Sequence, residues 1–336
     1  MYERNVDHCE VSRYVREVTI KTVKFAENSD NLDTILFEEI GWEAIASRNS
    51  LAVGEKVMFI PAESVLPFEL SDALGVTRYL STGRVRVVKL RGNRSEGIIA
   101  PIDIVIPYLD KIMKWETPPT VNMRGHHVRD VSPYFETFYR IPNILNEPYL
   151  FKKGEAIFIS EKLHGTNARA GIIYHPIQEK YILYVGSHNT VLEDEDDVLF
   201  WQVYKKYLLD STGASKLMVG IEFFGEVFGP GIQHFSYGRS VPDLKIFAAL
   251  DMRRNYMPPD TLYSLCVNND IPVVNFRKLL FSGDIEQFRE YASEPSEYTD
   301  KHIREGIVIV SAEDPNKMAK CLNFEYTAMK NRTERK

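Results

Sequence analysis

Along the first hundred residues, apolar and polar positions alternate in short runs that never hold a helical period for long. Val15 to Val23, Leu32 to Ile40, Trp42 to Ser47, Lys56 to Ile60, Arg84 to Leu90 and Gly97 to Pro101 have the pattern of strands. Turn formers such as Asn28-Ser-Asp-Asn, Gly41 and Gly54 separate them. Five or six short strands in so short a span predict a small, partly open five-stranded barrel.

After the breaker cluster Thr117-Pro-Pro-Thr and the polar stretch Asn122 to Asp130, the pattern changes. From about Pro148, strands (Ala156 to Ser160, Arg169 to Tyr174, Tyr181 to Gly186, Leu217 to Phe224, Leu244 to Leu250, Gly306 to Ser311) alternate with helical stretches. Phe200, Val203, Tyr204, Tyr207 and Leu208 share one helical face, which Asp196 or Asp197 could cap. The expected division is therefore a barrel over 1–116, a linker over 117–147 and a larger α+β domain over 148–336.

Composition narrows the class. With 44% hydrophobic and 26% charged residues over 336 positions, the chain can bury two ordinary cores. The 41 Lys and Arg against 47 Asp and Glu give a net charge of −6, so any contact with a polyanion must be local. Three scattered cysteines, Cys9, Cys266 and Cys321, argue against a disulfide framework and structural zinc. No apolar run approaches the roughly 20 residues that span a bilayer, and the N-terminus is unlike a signal peptide. An intracellular, cytoplasmic protein without a membrane partner is expected, or a nuclear or host-cytoplasmic one if the source is eukaryotic or viral. The acidic run Glu193-Asp-Glu-Asp-Asp is expected to be a solvated loop at a helix start and not a metal site.

The candidate chemistry begins at Glu161-Lys162-Leu163-His164-Gly165-Thr166-Asn167, between two strands. A lysine at a strand end can present its amine to a phosphate, and a glycine three residues later lets the backbone approach a nucleotide. Lysine, two residues, glycine is a common pattern, and an exposed turn explains a lone example. Four segments further along the chain add weight, in this order: Phe223-Phe-Gly-Glu226-Val-Phe-Gly229-Pro-Gly231-Ile-Gln, Phe247-Ala-Ala-Leu-Asp251, Arg304-Glu305-Gly306-Ile-Val-Ile-Val and Lys317-Met-Ala-Lys320-Cys-Leu-Asn323.

This ordered set resembles the motifs of the covalent nucleotidyltransferase superfamily. Histidine at position 164, where DNA ligases and capping enzymes usually carry aspartate, is similar to the RNA-ligase version. Ile40-Gly-Trp-Glu-Ala, Leu51-Ala-Val-Gly-Glu-Lys-Val-Met-Phe-Ile-Pro and Leu90-Arg-Gly-Asn-Arg-Ser-Glu-Gly resemble the N-terminal domain of ATP-dependent RNA ligases of the Deinococcus and Naegleria kind. The resemblance implies an OB-like β-barrel followed by an adenylyltransferase domain of the ATP-grasp-like nucleotidyltransferase type, built from antiparallel sheets and helices. The short stretch after Lys320 leaves no room for the C-terminal OB domain of capping enzymes.

The implied activity is sealing of 3′-hydroxyl and 5′-phosphate RNA ends through a lysyl-AMP and an adenylylated 5′ end, with ATP and Mg2+ or Mn2+. The implied partner is RNA or an RNA-containing duplex with a nick, bound by a monomer. Lys162 matches the nucleophile, its amine freed by positive charge from metal and Lys320. Lys320 matches the lysine at the α-phosphate. Glu161, His164, Gly165, Asn167, Glu226, Phe247 and Glu305 match nucleotide contacts, with Phe247 stacked on the purine and Glu305 and Glu226 as metal contacts. Two positions depart from the pattern: Leu322 replaces a second lysine, for which Lys317 is a conjectural substitute, and His188 stands where relatives offer an arginine for the 5′-phosphate. Arg84, Arg86, Lys89, Arg91 and Arg94 form a basic stretch that could track a phosphate backbone; a solvated basic edge is the alternative. The competing functions are an RNA-capping guanylyltransferase and a nucleic-acid-binding module that has lost catalysis.

Overall fold

The computed structural model describes residues 14–80, 82–115 and 125–333. The breaker cluster at Thr117 lies outside them. The chain forms two compact units: Met1–Pro119 with Asn143–Leu150 and Phe324–Lys336, and Thr120–Pro142 with Phe151–Asn323.

In the first unit the strands are β1 (Arg16–Phe25), β2 (Leu32–Phe37), β3 (Glu43–Ser47), β4 (Lys56–Pro61), β5 (Ser64–Val65), β6 (Val88–Leu90), β7 (Asn93–Ser95), β8 (Gly97–Ala100) and β9 (Met113–Lys114). Helices α1 (Phe68–Ala73) and α2 (Ile102–Val105) interrupt them. Five strands make one antiparallel sheet in the order β3-β2-β1-β4-β8. The Glu96 N–H donates to Glu43 O at 2.9 Å, so the sheet curls until its two edges nearly meet. Alternation along β2 sends Asp33, Ile35 and Phe37 inward, and Phe37 meets Phe59 of β4 at 5.1 Å between ring centroids.

The segment Arg84 to Leu90 departs from expectation. Only Val88–Leu90 is a strand, in a hairpin with β7. Arg84 and Arg86 are buried; Arg84 pairs with Glu63 at 2.5 Å and lies over the Trp115 ring. Lys89 pairs with Glu325, and Arg94 with Glu43 at 2.5 Å. The expected exposed strip of five cations is therefore corrected: a buried guanidinium needs a carboxylate, and four of these side chains turn inward or onto acids. Arg91, in a left-handed turn conformation (φ 51°), is exposed.

The second unit contains β10 (Ala156–Lys162), β11 (Thr166–His175), β12 (Lys180–Ser187), α3 (Leu199–Tyr207), β13 (Glu222–Phe228), β14 (Asp243–Leu250), α4 (Pro259–Asn268), β15 (Arg277–Leu280), α5 (Glu286–Ser293), β16 (Gly306–Ser311) and β17 (Met318–Leu322). Helix α6 (Phe324–Thr333) returns to the first unit. Two four-stranded antiparallel sheets result, β15-β10-β16-β17 and β12-β11-β13-β14. Helix α3 lays Phe200, Val203, Tyr204 and Leu208 against the second sheet, the face its periodicity indicates. No aspartate caps it: Asp194 and Asp196 pair with Lys205 instead, at 2.7 and 2.9 Å. The strand expected over Leu217 to Phe224 begins later, at Glu222, because Gly220 turns the chain with φ 82°. Among the described residues no helix is long and apolar enough to cross a membrane. The molecule is thus α+β with antiparallel sheets.

Candidate active site

Strand β10 ends at Lys162 and β11 starts at Thr166, so the nucleophile candidate stands at the first corner of the unit. The turn between them lies tight against β13. A Cβ on Gly165 would sit 2.1 Å from Val227 O, so only glycine fits. A similar approach occurs at Gly306, paired with Lys162, where a Cβ would sit 2.2 Å from Cys321 O.

Lys162 Nζ lies 2.6 Å from Glu305 Oε1, and His164 Nδ1 lies 3.0 Å from Glu305 Oε2. Glu226 joins this cluster from β13, opposite Asn167 of β11. Burial disfavours the charge on Glu305, yet Lys162 and His164 outweigh it and hold the carboxyl down at about 2. Glu226 goes the other way: burial and the charge of Glu305 exceed the pull of Lys162 and push it up to about 8. Burial also works against the Lys162 cation, but Glu305 and Glu226 outweigh it and hold the amine above its ordinary range. The neighbours acting on this amine are thus the carboxyl groups of Glu305 and Glu226.

Glu161 has a different task from the nucleotide contact expected of it. Successive strand residues face opposite ways, and its fully buried carboxylate accepts from Ser296 Oγ and Glu297 N–H, both at 2.7 Å. Arg304 lies 3.9 Å away. The pair Glu161 and Arg304 thereby fastens the 294–297 loop beneath β10.

Lys320 shares a sheet face with Lys162. The register runs Ser160↔Val308↔Lys320 and Lys162↔Gly306↔Leu322, and paired antiparallel residues project to one side. Leu322 is thus directly in line with Lys162. Lys317 does not stand in for the missing lysine: it points to the other face and holds Glu155 at 2.7 Å. Phe247 is half-buried at a bulge, where the β13–β14 register passes from Ile246 to Ala248. Phe138 meets it edge-on at 5.0 Å.

His188 follows β12 and is half-buried; burial, then Arg140 and Arg169, draw its pKa below the ordinary value. The nearby Arg169 donates to Ser187 O, Phe135 O and Glu136 O, tying the segment before β10 to the end of β12. Phe138 and Arg140, in the stretch expected to be linker, belong to this unit, as does Tyr237, whose hydroxyl accepts from His164 N–H at 2.8 Å. Sequence reasoning misses all three, since they sit in irregular segments without a period; aromatic residues in a polar stretch are the available signal. The acidic run remains at the surface, where Glu195 meets His126 at 2.6 Å. Arg84, Arg86, Lys89 and Arg91 lie in the other unit.

Comparison with known proteins bears on this constellation. Residues 155–322, half of the chain, match the model of the RNA ligase family, and the chain belongs to that family. No curated protein matches it in sequence. Among solved structures, Naegleria gruberi RNA ligase with PPi is 18% identical with a TM-score of 0.74, over 96% of this chain and 99% of that one. A lysine-to-alanine variant of the same ligase with ATP and Mn aligns at 0.75 and 18% identity, over 94% and 98%. A lysine-to-methionine variant with AMP and Mn gives 0.76 and 18%, over the same shares. These likenesses show that the chain has the fold of that RNA ligase.

Proposed function

We propose that this RNA ligase family member is ATP-dependent and seals a 3′-hydroxyl to a 5′-phosphate in nicked RNA, with Lys162 as the adenylylated residue. The observation that carries the reading is the Lys162–Glu305–His164 cluster with Glu226 beside it, inside the span that matches the family. The Naegleria gruberi ligase structures with ATP, AMP, PPi and Mn support the choice of nucleotide and metal.

In the first step Lys162 Nζ attacks the α-phosphorus of ATP, an N–P bond forms, the P–O bond to pyrophosphate breaks, and the amine gives up a proton. A 5′-phosphate oxygen then attacks the AMP phosphorus and the N–P bond to Lys162 breaks; the 3′-hydroxyl oxygen finally attacks the 5′-phosphorus, loses its proton and expels AMP. In-line displacement at phosphorus asks the protein to position groups and to neutralise charge. Lys320, on the same sheet face, is read as the α-phosphate contact, and Phe247 as the platform for the purine. Asn167 Oδ1 is buried without a hydrogen-bond partner among the described residues, as an acceptor kept for a ribose hydroxyl would be. The residues fit a divalent ion: carboxylates are hard oxygen donors, and burial, with the charge of Glu305 beside it, raises Glu226 to about 8, a cost to its carboxylate that a cation relieves. Glu305 and Glu226 would hold Mg2+ or Mn2+, which supplies positive charge at the reacting phosphate. With Glu305 so engaged, its carboxylate would no longer favour the protonated form of Lys162.

His188, with Arg140 near it, is read as the 5′-phosphate contact in place of the arginine of relatives. The curled sheet of the first unit is read as an OB-type nucleic-acid-binding domain that contributes to nick recognition, and the enzyme as a cytoplasmic monomer. Incubation with ATP or GTP labelled at the α-phosphate tests the reading. Label from ATP in an acid-stable adduct that Lys162→Ala abolishes supports it. Label from GTP alone would indicate a capping guanylyltransferase, and no adduct with either an inactive binding module.

A further inference from the structure

We propose that Tyr237 is a positioning residue for lysine adenylylation: its buried hydroxyl fixes the backbone of His164 and, through it, the carboxylate that holds Lys162. This rests on the reading of Lys162 as the adenylylated residue.

Tyr237 lies in the connection between β13 and β14, with φ 52°, followed by Gly238 at φ 67°. A non-glycine residue adopts this conformation only at a cost. The turn carries a large side chain inward nonetheless: Tyr237 is 2% exposed. Its ring meets Phe228 edge-on at 4.9 Å and His302 at 4.5 Å. His302 stacks on Phe235 at 4.0 Å, and Phe235 reaches the His164 ring at 5.1 Å. Phe228, Tyr237, His302 and Phe235 thus form an aromatic box, of which Phe235 meets the His164 ring.

A phenylalanine would fill that box as well, so the hydroxyl calls for its own account. Burying it is unfavourable unless it is paired. Its contact is His164 N–H, at 2.8 Å. That amide lies between the last β10–β16 pair, Lys162↔Gly306, and the first β11–β13 pair, Thr166↔Val227, so neither ladder supplies an acceptor. Tyr237 Oη takes this role. His164 is then held at two points, its N–H on Tyr237 and its Nδ1 on Glu305 Oε2, while the other Glu305 oxygen meets Lys162. Tyr237 touches none of the reacting atoms; it sets the residue that sets Glu305.

Hydrogen exchange and adenylylation kinetics on the full chain test the proposal. In the wild type the His164 amide is protected; free exchange there overturns the contact without any variant. Tyr237→Phe keeps the ring and removes the acceptor. The His164 amide should then exchange about tenfold faster, as loss of one hydrogen bond predicts, while the Ile157 and Ile159 amides of β10 stay unchanged. The adenylylation kcat should fall about tenfold with KM for ATP within about twofold. Unchanged His164 exchange or unchanged kcat in Tyr237→Phe overturns the proposal, as does a loss seen only in Tyr237→Leu, which would leave ring packing as the whole role. A wild type that takes no AMP on Lys162 overturns the functional reading too, whereas unchanged exchange overturns the positioning role alone.

Discussion

Lys162 Nζ and Glu305 Oε1 lie 2.6 Å apart at the end of one strand and the approach to its neighbour, a pairing that favours the charged form of the candidate nucleophile. A lysine must lose that proton to attack phosphorus. The pair makes reactivity conditional on whatever draws Glu305 away.

Replacing the carboxylate separates these two effects. In Glu305→Gln without ATP, Lys162 should be acylated by an amine-directed reagent faster at pH 8 than in the wild type, because the carboxylate that favours its cation is gone. AMP transfer in the same variant should fall at least about a hundredfold, because a metal contact is lost with the charge. Peptide mapping of the acylated protein checks the first outcome and a labelled-ATP assay the second.

Glu226 ties stability to pH. Its carboxyl is raised from the ordinary range to about 8 by burial and by Glu305, so the folded state binds the proton more tightly than the unfolded chain does. Between about pH 4.5 and 8 the native state therefore carries more protons, and this contribution is lost as pH rises through 8. In metal-free buffer the Tm of Glu226→Gln should gain on the wild type between pH 5 and pH 9. A difference in Tm that stays flat over that range would remove Glu226 as its source.

Gly165 is a packing requirement with a catalytic consequence. Alanine there puts a methyl 2.1 Å from Val227 O, and the opposing atom is backbone, which yields only if β13 shifts. Gly165→Ala should cost about 1–3 kcal/mol of stability and slow AMP transfer more than tenfold, since the same turn carries His164. Denaturant melts and a transfer assay read the two losses.

Phe247 projects from a bulge and has Phe138 against its edge. If it stacks on the purine, Phe247→Ala should raise KM for ATP by up to about tenfold, in line with 0.5–1.5 kcal/mol for an aromatic pair, and Phe247→Tyr should not. Steady-state KM values decide it.

Much of this site is legible in the residues. Lys162, Glu226 and Glu305 stand out by their order along the chain, and the structure brings them together because three separate strands, β10, β13 and the start of β16, converge there. Glu161 is misread as a contact for a plain reason: a motif reports neighbours in sequence, while a strand sends neighbours to opposite faces. The basic stretch fails similarly, since composition does not show that Arg84 and Arg86 turn inward. The late start of β13 is hidden by burial on both sides: Phe223, Phe224, Val227 and Phe228 are all fully buried, so no alternation marks where the strand begins after the turn at Gly220. Tyr237 lies in a turn, and Phe138 and Arg140 in an irregular stretch, where position depends on tertiary contacts that no local pattern encodes.

The central claim is that Lys162 carries AMP. Digestion of the protein after incubation with ATP and Mn2+, followed by mass mapping, tests it most directly. A single adenylylated peptide containing Lys162 is expected, absent from Lys162→Ala and discharged by pyrophosphate. AMP on another lysine, or an unmodified Lys162 peptide under the same conditions, would contradict it.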